Sequence, residues 1–288
     1  MKIAIVTDSL THLTTSDLER YPYVYYGYLN VIVNDQTYVE HKEINNKELF
    51  NLIDSGASYS TSQPSPDVFV QIYEQIKDEY DYILSLHCTP KVSGTVNAAR
   101  IASTMVDGLE GRISVIDLNT ASIGEENIII KVCQLIDEGK SLDELLKVIE
   151  FYRNHTTLCL VIDDLNTLVK TGRLSKTAAS IGNLLNIKPI IGLVDAQLDV
   201  LDKVRTKKRV LKWMVEHLKE EIEKSGKQIV RLTYSNDLEL AQELKKLMEE
   251  ACGDQAEVHV GNEIGPVMAI HFGRGGVGAC WMPDQYKI

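Results

Sequence analysis

Long apolar runs are missing from this chain of 288 residues. No stretch of about 18 uncharged apolar residues occurs, the length that a membrane-spanning helix needs, and the apolar start Ile3-Ala4-Ile5-Val6 stops at Asp8. Neither a membrane span nor a signal peptide is expected. Cysteine is scarce: Cys88, Cys133, Cys159, Cys252 and Cys280 are odd in number, widely spaced and without a C-x-x-C pair. That pattern argues against a disulfide framework or a structural zinc site and for a reducing, cytoplasmic setting. The seven histidines form no H-E-x-x-H or H-x-H pair, so no metal site is expected. Basic residues are in deficit, 30 Lys+Arg against 41 Asp+Glu, for a formal charge of −11. A chain so acidic is poorly suited to non-specific nucleic-acid binding or to adsorption on an anionic membrane. With 18 Gly, 7 Pro and 44% hydrophobic residues, it is neither collagen-like nor disordered. No G-x-G-x-x-G before a helix and no G-x-x-x-x-G-K-[ST] phosphate loop is found.

What the chain does have is alternation. Apolar runs at 3–7, 82–86, 113–117 and 158–162 read as buried strands at the spacing of crossover helices, which predicts a parallel sheet. Helical periodicity occupies 45–55, 66–78, 95–105, 128–137 and 142–154, the last opened by the capping box Ser141-Leu142-Asp143-Glu144. The β-rich segment 23–38 breaks at Asn34-Asp35 and reads as a hairpin. Beyond about residue 160 the texture changes. Two short helical patterns flank Gly172, and then 187–194 and 198–204 read as an antiparallel pair turning near Asp195-Ala196. A charged amphipathic helix at 206–224, a strand at 229–234, a helix at 238–251, a strand at 256–260 and a glycine-rich end complete the chain. The expected fold class is α/β in two domains. Residues 1–160 would form an α/β domain on a parallel sheet, and 161–288 an α+β domain with a mainly antiparallel sheet.

Four segments carry more chemistry than their surroundings. In Ser60-Thr61-Ser62-Gln63-Pro64-Ser65-Pro66, Ser65 as N-cap and Pro66 at the first helical position start a helix. The hydroxyls of Thr61 and Ser62 would then lie near a positive helix end, able to donate to an anion. In Val92-Ser93-Gly94-Thr95, Ser93 is placed as an N-cap and Gly94 leaves backbone N–H groups open to an oxyanion. Near the C-terminus, His271 sits in an apolar run read as a strand, at the mouth of the loop Gly273-Arg274-Gly275-Gly276. The fourth is basic: Lys170-Thr171-Gly172-Arg173-Leu174-Ser175-Lys176, then Lys203-Val204-Arg205-Thr206-Lys207-Lys208-Arg209, a local reversal of sign suited to an acidic partner. Each segment also has an ordinary reading, as a helix start, a core histidine or a solvated helix face.

In this order the pieces resemble the DegV family, fatty-acid-binding proteins that serve as acyl-carrying subunits of the bacterial fatty acid kinase. The resemblance rests on Thr7-Asp8-Ser9, Thr61-Ser62-Gln63-Pro64-Ser65, Ser93-Gly94-Thr95, Gly172-Arg173-Leu174, Lys188-Pro189-Ile190-Ile191, Arg205 and His271-Phe272-Gly273. It implies an acyl chain such as palmitate or oleate in an apolar tunnel between two domains. Thr61, Ser62, Ser93 and His271 would hold the carboxylate, with Gly94 and Thr95 at the same helix start. Arg173 and Arg205, with Lys207 and Lys208 beside them, would face the ATP-dependent kinase subunit. No cofactor is implied, the chain itself would not be the catalyst, and membrane contact would be at most transient. A lid for lipid entry is placed at 166–186. Burying roughly fourteen methylenes at about 0.8 kcal/mol each gives some 11 kcal/mol before association costs, so the tail would supply affinity and the head group orientation.

The chain departs from the family pattern in places. Gly273-Arg274-Gly275 stands where Gly-Pro-Gly is usual, His87-Cys88-Thr89-Pro90-Lys91 replaces a run of serines, and Ala196-Gln197 lacks the glycine after the Asp195 turn. Two other readings are carried forward. One is an acyl hydrolase or transferase with Ser93 as nucleophile and His271 as base, although no G-x-S-x-G elbow is present. The other is a sensor or scaffold that binds a small anion or a protein through the basic patch.

Overall fold

The computed structural model describes residues 1–162, 165–175 and 187–286. Four strands, β1 (Ile3–Asp8), β2 (Val24–Gly27), β6 (Tyr82–His87) and β7 (Ile113–Asp117), form an all-parallel sheet in the order β2-β1-β6-β7. Both faces of this sheet are covered, which is why β1 is apolar from Ile3 to Val6. Ala4 and Val6 pack on α3 (Pro66–Ile76) and α4 (Thr95–Ser103). Ile3 and Ile5 pack on α5 (Ile123–Asp137) and α6 (Leu142–His155). The Ser141 capping box opens α6 as expected, with Glu144 reaching back to the Ser141 N–H at 2.9 Å. By contrast, α5 begins five residues before the expected 128, because its first turns bury Glu125, Glu126 and Asn127. Buried polar residues do not register as apolar periodicity.

A six-stranded sheet lies on the other side of α5 and α6, in the order β10-β9-β8-β13-β11-β12. Its strands are β8 (Thr157–Val161), β9 (Lys188–Val194), β10 (Gln197–Val204), β11 (Gln228–Tyr234), β12 (Ala256–Glu263) and β13 (Val277–Pro283). All pairs are antiparallel except β11 with β12. Here one expectation is corrected. The run 158–162 is not a strand of the parallel sheet but β8, antiparallel to β13 and β9. Leu158, Cys159, Leu160 and Val161 are all buried, so the sequence shows a two-sided strand without showing its partners. The boundary expected at 160 therefore falls inside β8. Side chains of β13 alternate: Val277, Ala279 and Trp281 pack under α8 (Lys207–Ser225) and α9 (Leu238–Cys252), while Met282 joins the α5/α6 core. The β9–β10 hairpin forms as expected, with Asp195 and Ala196 at positive φ of 49° and 61°.

A third, three-stranded sheet holds the expected hairpin, whose arms begin only at Asn30 because Val24–Gly27 is β2 of the parallel sheet. β3 (Asn30–Val33) pairs with β4 (Gln36–Val39) across Asn34 and Asp35, both at positive φ as a two-residue hairpin turn demands. On its other edge it pairs with β5 (Tyr59–Ser62). This small sheet packs against α2 (Asn46–Asp54) and α10 (Pro266–Phe272). Of the expected lid, α7 (Leu165–Lys170) is helical, while 176–186, including the second helical pattern after Gly172, lies outside the described residues. No helix among the described residues is long and apolar enough to cross a membrane.

Candidate ligand-binding site

A narrow internal cavity runs where the three sheets approach one another. Its wall is largely apolar, with Leu29, Leu158, Leu160, Leu198, Val267 and Phe272 among the contributors. The centres of water-sized molecules have about 80 Å³ of room within it. Into this apolar space project Thr61, Ser62, Gln63, Ser93, Arg173 and His271. Residues far apart in sequence thus share one cavity: Thr61 and His271 meet across 210 positions.

Thr61 is presented by β5, where it pairs with Val31 of β3. The segment 59–62 was expected as a helix approach, and its strand character is a correction. Four residues are too few to show a strand period, and the prolines after it dominate the reading. The α3 start itself is as expected, with Pro66 at the first helical position and Ser65 as an N-cap in extended backbone that makes no side-chain cap bond.

His271 comes from α10 and not from a strand, a second correction. Apart from His271 the run Ile264 to Phe272 carries no polar side chain and so shows no period, and Pro266 at the first helical position is what favours the helix. A buried carboxylate fixes the start of α10. Glu40 Oε2 accepts the Val267 N–H at 3.0 Å, and its other oxygen accepts the Ser9 hydroxyl. Burial raises the Glu40 carboxyl to about 7, against which the bonds from Ser9 and Val267 act. The backbone at Gly265 packs too closely for a side chain: a Cβ there would stand 2.6 Å from His41 Nε2 and 2.9 Å from Glu40 Oε2.

The decisive geometry lies between the two side chains. His271 Nε2 is 3.0 Å from Thr61 Oγ1, and His271 Nδ1 is buried without a hydrogen-bond partner among the described residues. Burial, and then the nearby positive charge of Arg173, lower the His271 pKa to about 3, so the ring is neutral near pH 7. A neutral imidazole has one N–H and threonine one O–H. Their mutual bond uses one of these two protons in either tautomer. The other is left to donate, from Thr61 Oγ1 or from His271 Nδ1. The pair is therefore a neutral donor, and Arg173 supplies positive charge beside it.

Ser93 also lines the cavity, but it is not the N-cap of α4. Gly94 takes that position, without a side-chain cap bond, while Ser93 Oγ lies 2.8 Å from Thr95 Oγ1. Gly94 and Thr95 sit behind the wall and not on it. The space a side chain would occupy on Gly94 is filled by the Gln63 carboxamide, whose Nε2 is 2.7 Å from the ideal Cβ position. Gln63, quoted above only as part of a motif, is thus a wall residue in its own right.

These positions and their order invite comparison with known proteins. The family model described as "Uncharacterised protein, DegV family" matches residues 2–284. The chain belongs to the DegV family. A DegV domain-containing protein of Staphylococcus aureus (strain MRSA252) is 33% identical over 278 residues, covering 96% of this chain and 97% of its own. One from Listeria innocua is 28% identical over 282 residues, covering 97% and 98%. Among solved structures, a DegV family protein from Thermus thermophilus described as fatty acid binding superposes with a TM-score of 0.90 at 29% identity, covering 98% of this chain and all (100%) of that one. DegV of Bacillus subtilis, described as a fatty acid binding protein, gives 0.87 at 27%, covering 99% and 100%. The α/β class with a parallel and a mixed, mainly antiparallel sheet is that of these DegV structures.

The basic residues of this DegV chain separate into two places. Arg173, expected on a docking face, lines the cavity, its Nε 3.5 Å from the Val92 carbonyl and its Nη1 on the Thr171 carbonyl. Arg205, Lys207 and Lys208 are exposed at the start of α8, with Lys207 bonded to Asp237 at 2.9 Å. At the C-terminal ends of β1 and β6, Asp8, His87 and Glu125 bring three potential metal ligands within 4.8 Å, all buried. Both ring nitrogens of His87 are already engaged, Nδ1 with Asp8 Oδ2 and Nε2 with Ser85 Oγ, each at 2.8 Å. Asp8, His87 and Ser85 thus form a buried hydrogen-bond chain, while Glu125 accepts from Thr7 Oγ1 at 3.4 Å.

Proposed function

We propose that this protein binds one long-chain fatty acid such as palmitate or oleate, with the tail in the apolar cavity and the carboxylate at Thr61, Ser62, Ser93 and His271. The observation that carries this reading is the Thr61–His271 pair, a part-buried donor with one proton unused, at the polar end of a largely apolar cavity. A carboxylate moved out of water without donors forfeits several kcal/mol, so such a lining selects a ligand with one anionic end. The fatty-acid binding described for the Thermus thermophilus and Bacillus subtilis proteins supports it. Arg173 neutralises the head group from within the cavity.

The protein is in this reading a carrier and not a catalyst. It presents the carboxylate to a separate ATP-dependent kinase subunit, which converts it to an acyl phosphate. Exposed Arg205, just before α8, and Lys207 and Lys208 in its first turn form the face offered to that partner, and no resident cofactor takes part. The test is palmitate-loaded protein incubated with ATP alone, and with ATP plus a fatty acid kinase subunit, with acyl phosphate trapped as hydroxamate. Product is expected only with the kinase present. Product from the carrier alone, or none with the kinase, would overturn this part of the reading.

A further inference from the structure

The Ser62-Gln63 segment has two sides. Its inner side lines the cavity, and its outer side lines an open cleft between strands β2 to β4 and the start of α3; these two residues are the ones the spaces share. The cleft gives the centres of water-sized molecules about 650 Å³, against about 80 Å³ in the cavity. At Ser62 and Gln63, beside the head-group cluster, the cavity thus meets a more open space.

The composition of the cleft departs from that of the chain. Although 41 of 288 residues are acidic, no Asp or Glu among the described residues lines it. Tyr28, Asn30, Ser65, Gln71 and Gln75 contribute O–H and N–H groups, and Lys42 contributes the charge. Lys42 Nζ stands 4.0 Å from the centroid of the Tyr28 ring, and no carboxylate among the described residues is ion-paired with it. Helix α3 opens onto the same space through Ser65 and Pro66, and the carboxylate of its first turn, Asp67, is not on the lining. A cleft with hydroxyl and amide donors, one cation and no acid is suited to a phosphate group.

We propose that this cleft receives the phosphoryl group when the bound carboxylate is phosphorylated, and that Lys42 holds it; the proposal rests on the fatty-acid reading of the cavity. In that step a carboxylate oxygen attacks the terminal phosphorus of a nucleoside triphosphate brought by the kinase subunit. One P–O bond forms to the acyl oxygen while the bridging P–O bond breaks, its electron pair leaving on the nucleoside diphosphate, and no proton changes place. A triphosphate cannot thread a narrow apolar cavity, whereas the cleft offers it open polar space up to Ser62 and Gln63, where the two spaces meet and the carboxylate oxygen reaches the phosphorus.

The test uses hexadecyl phosphate, a stable ligand with the product's tail and a terminal phosphate, beside palmitate, on the whole delipidated protein. Lys42→Gln is expected to weaken hexadecyl phosphate about two- to fivefold, as for loss of an exposed charge contact, with palmitate unchanged. Lys42→Arg should restore most of the loss. Equal effects on the two ligands, no effect on either, or palmitate binding without any hexadecyl phosphate binding would overturn the cleft assignment alone. Binding of neither ligand to the wild-type protein would overturn the fatty-acid reading, and the cleft assignment with it.

Discussion

Replacing Thr61 by valine removes one oxygen and almost no volume, so it isolates the donor function of the Thr61–His271 pair. In the wild-type protein the pair has a 3.0 Å bond and one proton to spare. In Thr61→Val the donor at the Oγ1 position is gone, and the one proton left is held on the imidazole, whose Nε2 stands 3.0 Å from that position, so a carboxylate seated against Thr61 loses one hydrogen bond to a charged acceptor. Such bonds contribute about 1.5–3 kcal/mol, and each 1.4 kcal/mol is tenfold in affinity, so palmitate binding should weaken roughly ten- to hundred-fold. Hexadecanol has the same tail without the charge and loses only a neutral hydrogen bond, about 0.5–1.5 kcal/mol, or roughly two- to tenfold. The assay is displacement of a fluorescent fatty acid from delipidated protein by each ligand. A control follows from the same geometry. Nε2 of a buried ring loses its partner, which costs about 1–3 kcal/mol and lowers the melting temperature of unliganded protein by about 2–10 °C. Palmitate and hexadecanol weakened by the same factor, or palmitate unchanged, would refute the reasoning.

Three further outcomes are expected. Gly94→Ala should weaken palmitate binding through displacement of the Gln63 carboxamide, 2.7 Å from the new Cβ, and the effect should vanish when Gln63→Ala is already present, a non-additivity that a double-mutant cycle reads. Gly276→Ala should destabilise the fold by about 1–3 kcal/mol in chemical denaturation, because its Cβ would lie 2.8 Å from the Val161 carbonyl oxygen and backbone cannot swing aside. Unliganded protein should lose stability below pH about 4.5. His12 and His271 have folded pKa values lowered to about 3 by burial, so their contribution is present above the unfolded value near 6.5 and fades as pH falls towards 3. Glu40 and Glu126, raised to about 7 by burial, contribute with opposite sign, fully below 4.5 and lost as pH rises through 7. The two effects cancel between about 4.5 and 6.5, leaving a plateau with an acid limb of up to about 1.4 kcal/mol per pH unit per histidine. Denaturation midpoints that fall steadily across the plateau would contradict this balance.

Local signals carried much of the architecture. The continuous apolar run of β1, the Ser141 capping box, the Asn34-Asp35 turn and the Asp195-Ala196 turn are each written within a few residues, and each forms where the sequence places it. What failed depended on distant partners. β8 is buried on both faces and could have joined either sheet, and β5 becomes a strand only because β3 offers it an edge. His271 reads as strand or helix until Glu40, from 227 positions away, accepts the Val267 N–H at the helix start. At the candidate site, Thr61, Ser62, Ser93 and His271 reach one cavity. Arg173 was legible as a charge but not in its direction, since nothing in Gly172-Arg173-Leu174 says which way a side chain turns. Gln63 carries no local signal of its role, because its carboxamide packs on Gly94 at the start of α4, a distant partner.

Native mass spectrometry of the protein as purified tests the central claim most directly, followed by solvent extraction and identification of what is released. The expected result is one fatty acid per chain, absent from a folded Thr61→Ala/Ser93→Ala variant. A protein that carries no acyl chain and takes up neither palmitate nor oleate when offered them would contradict the account.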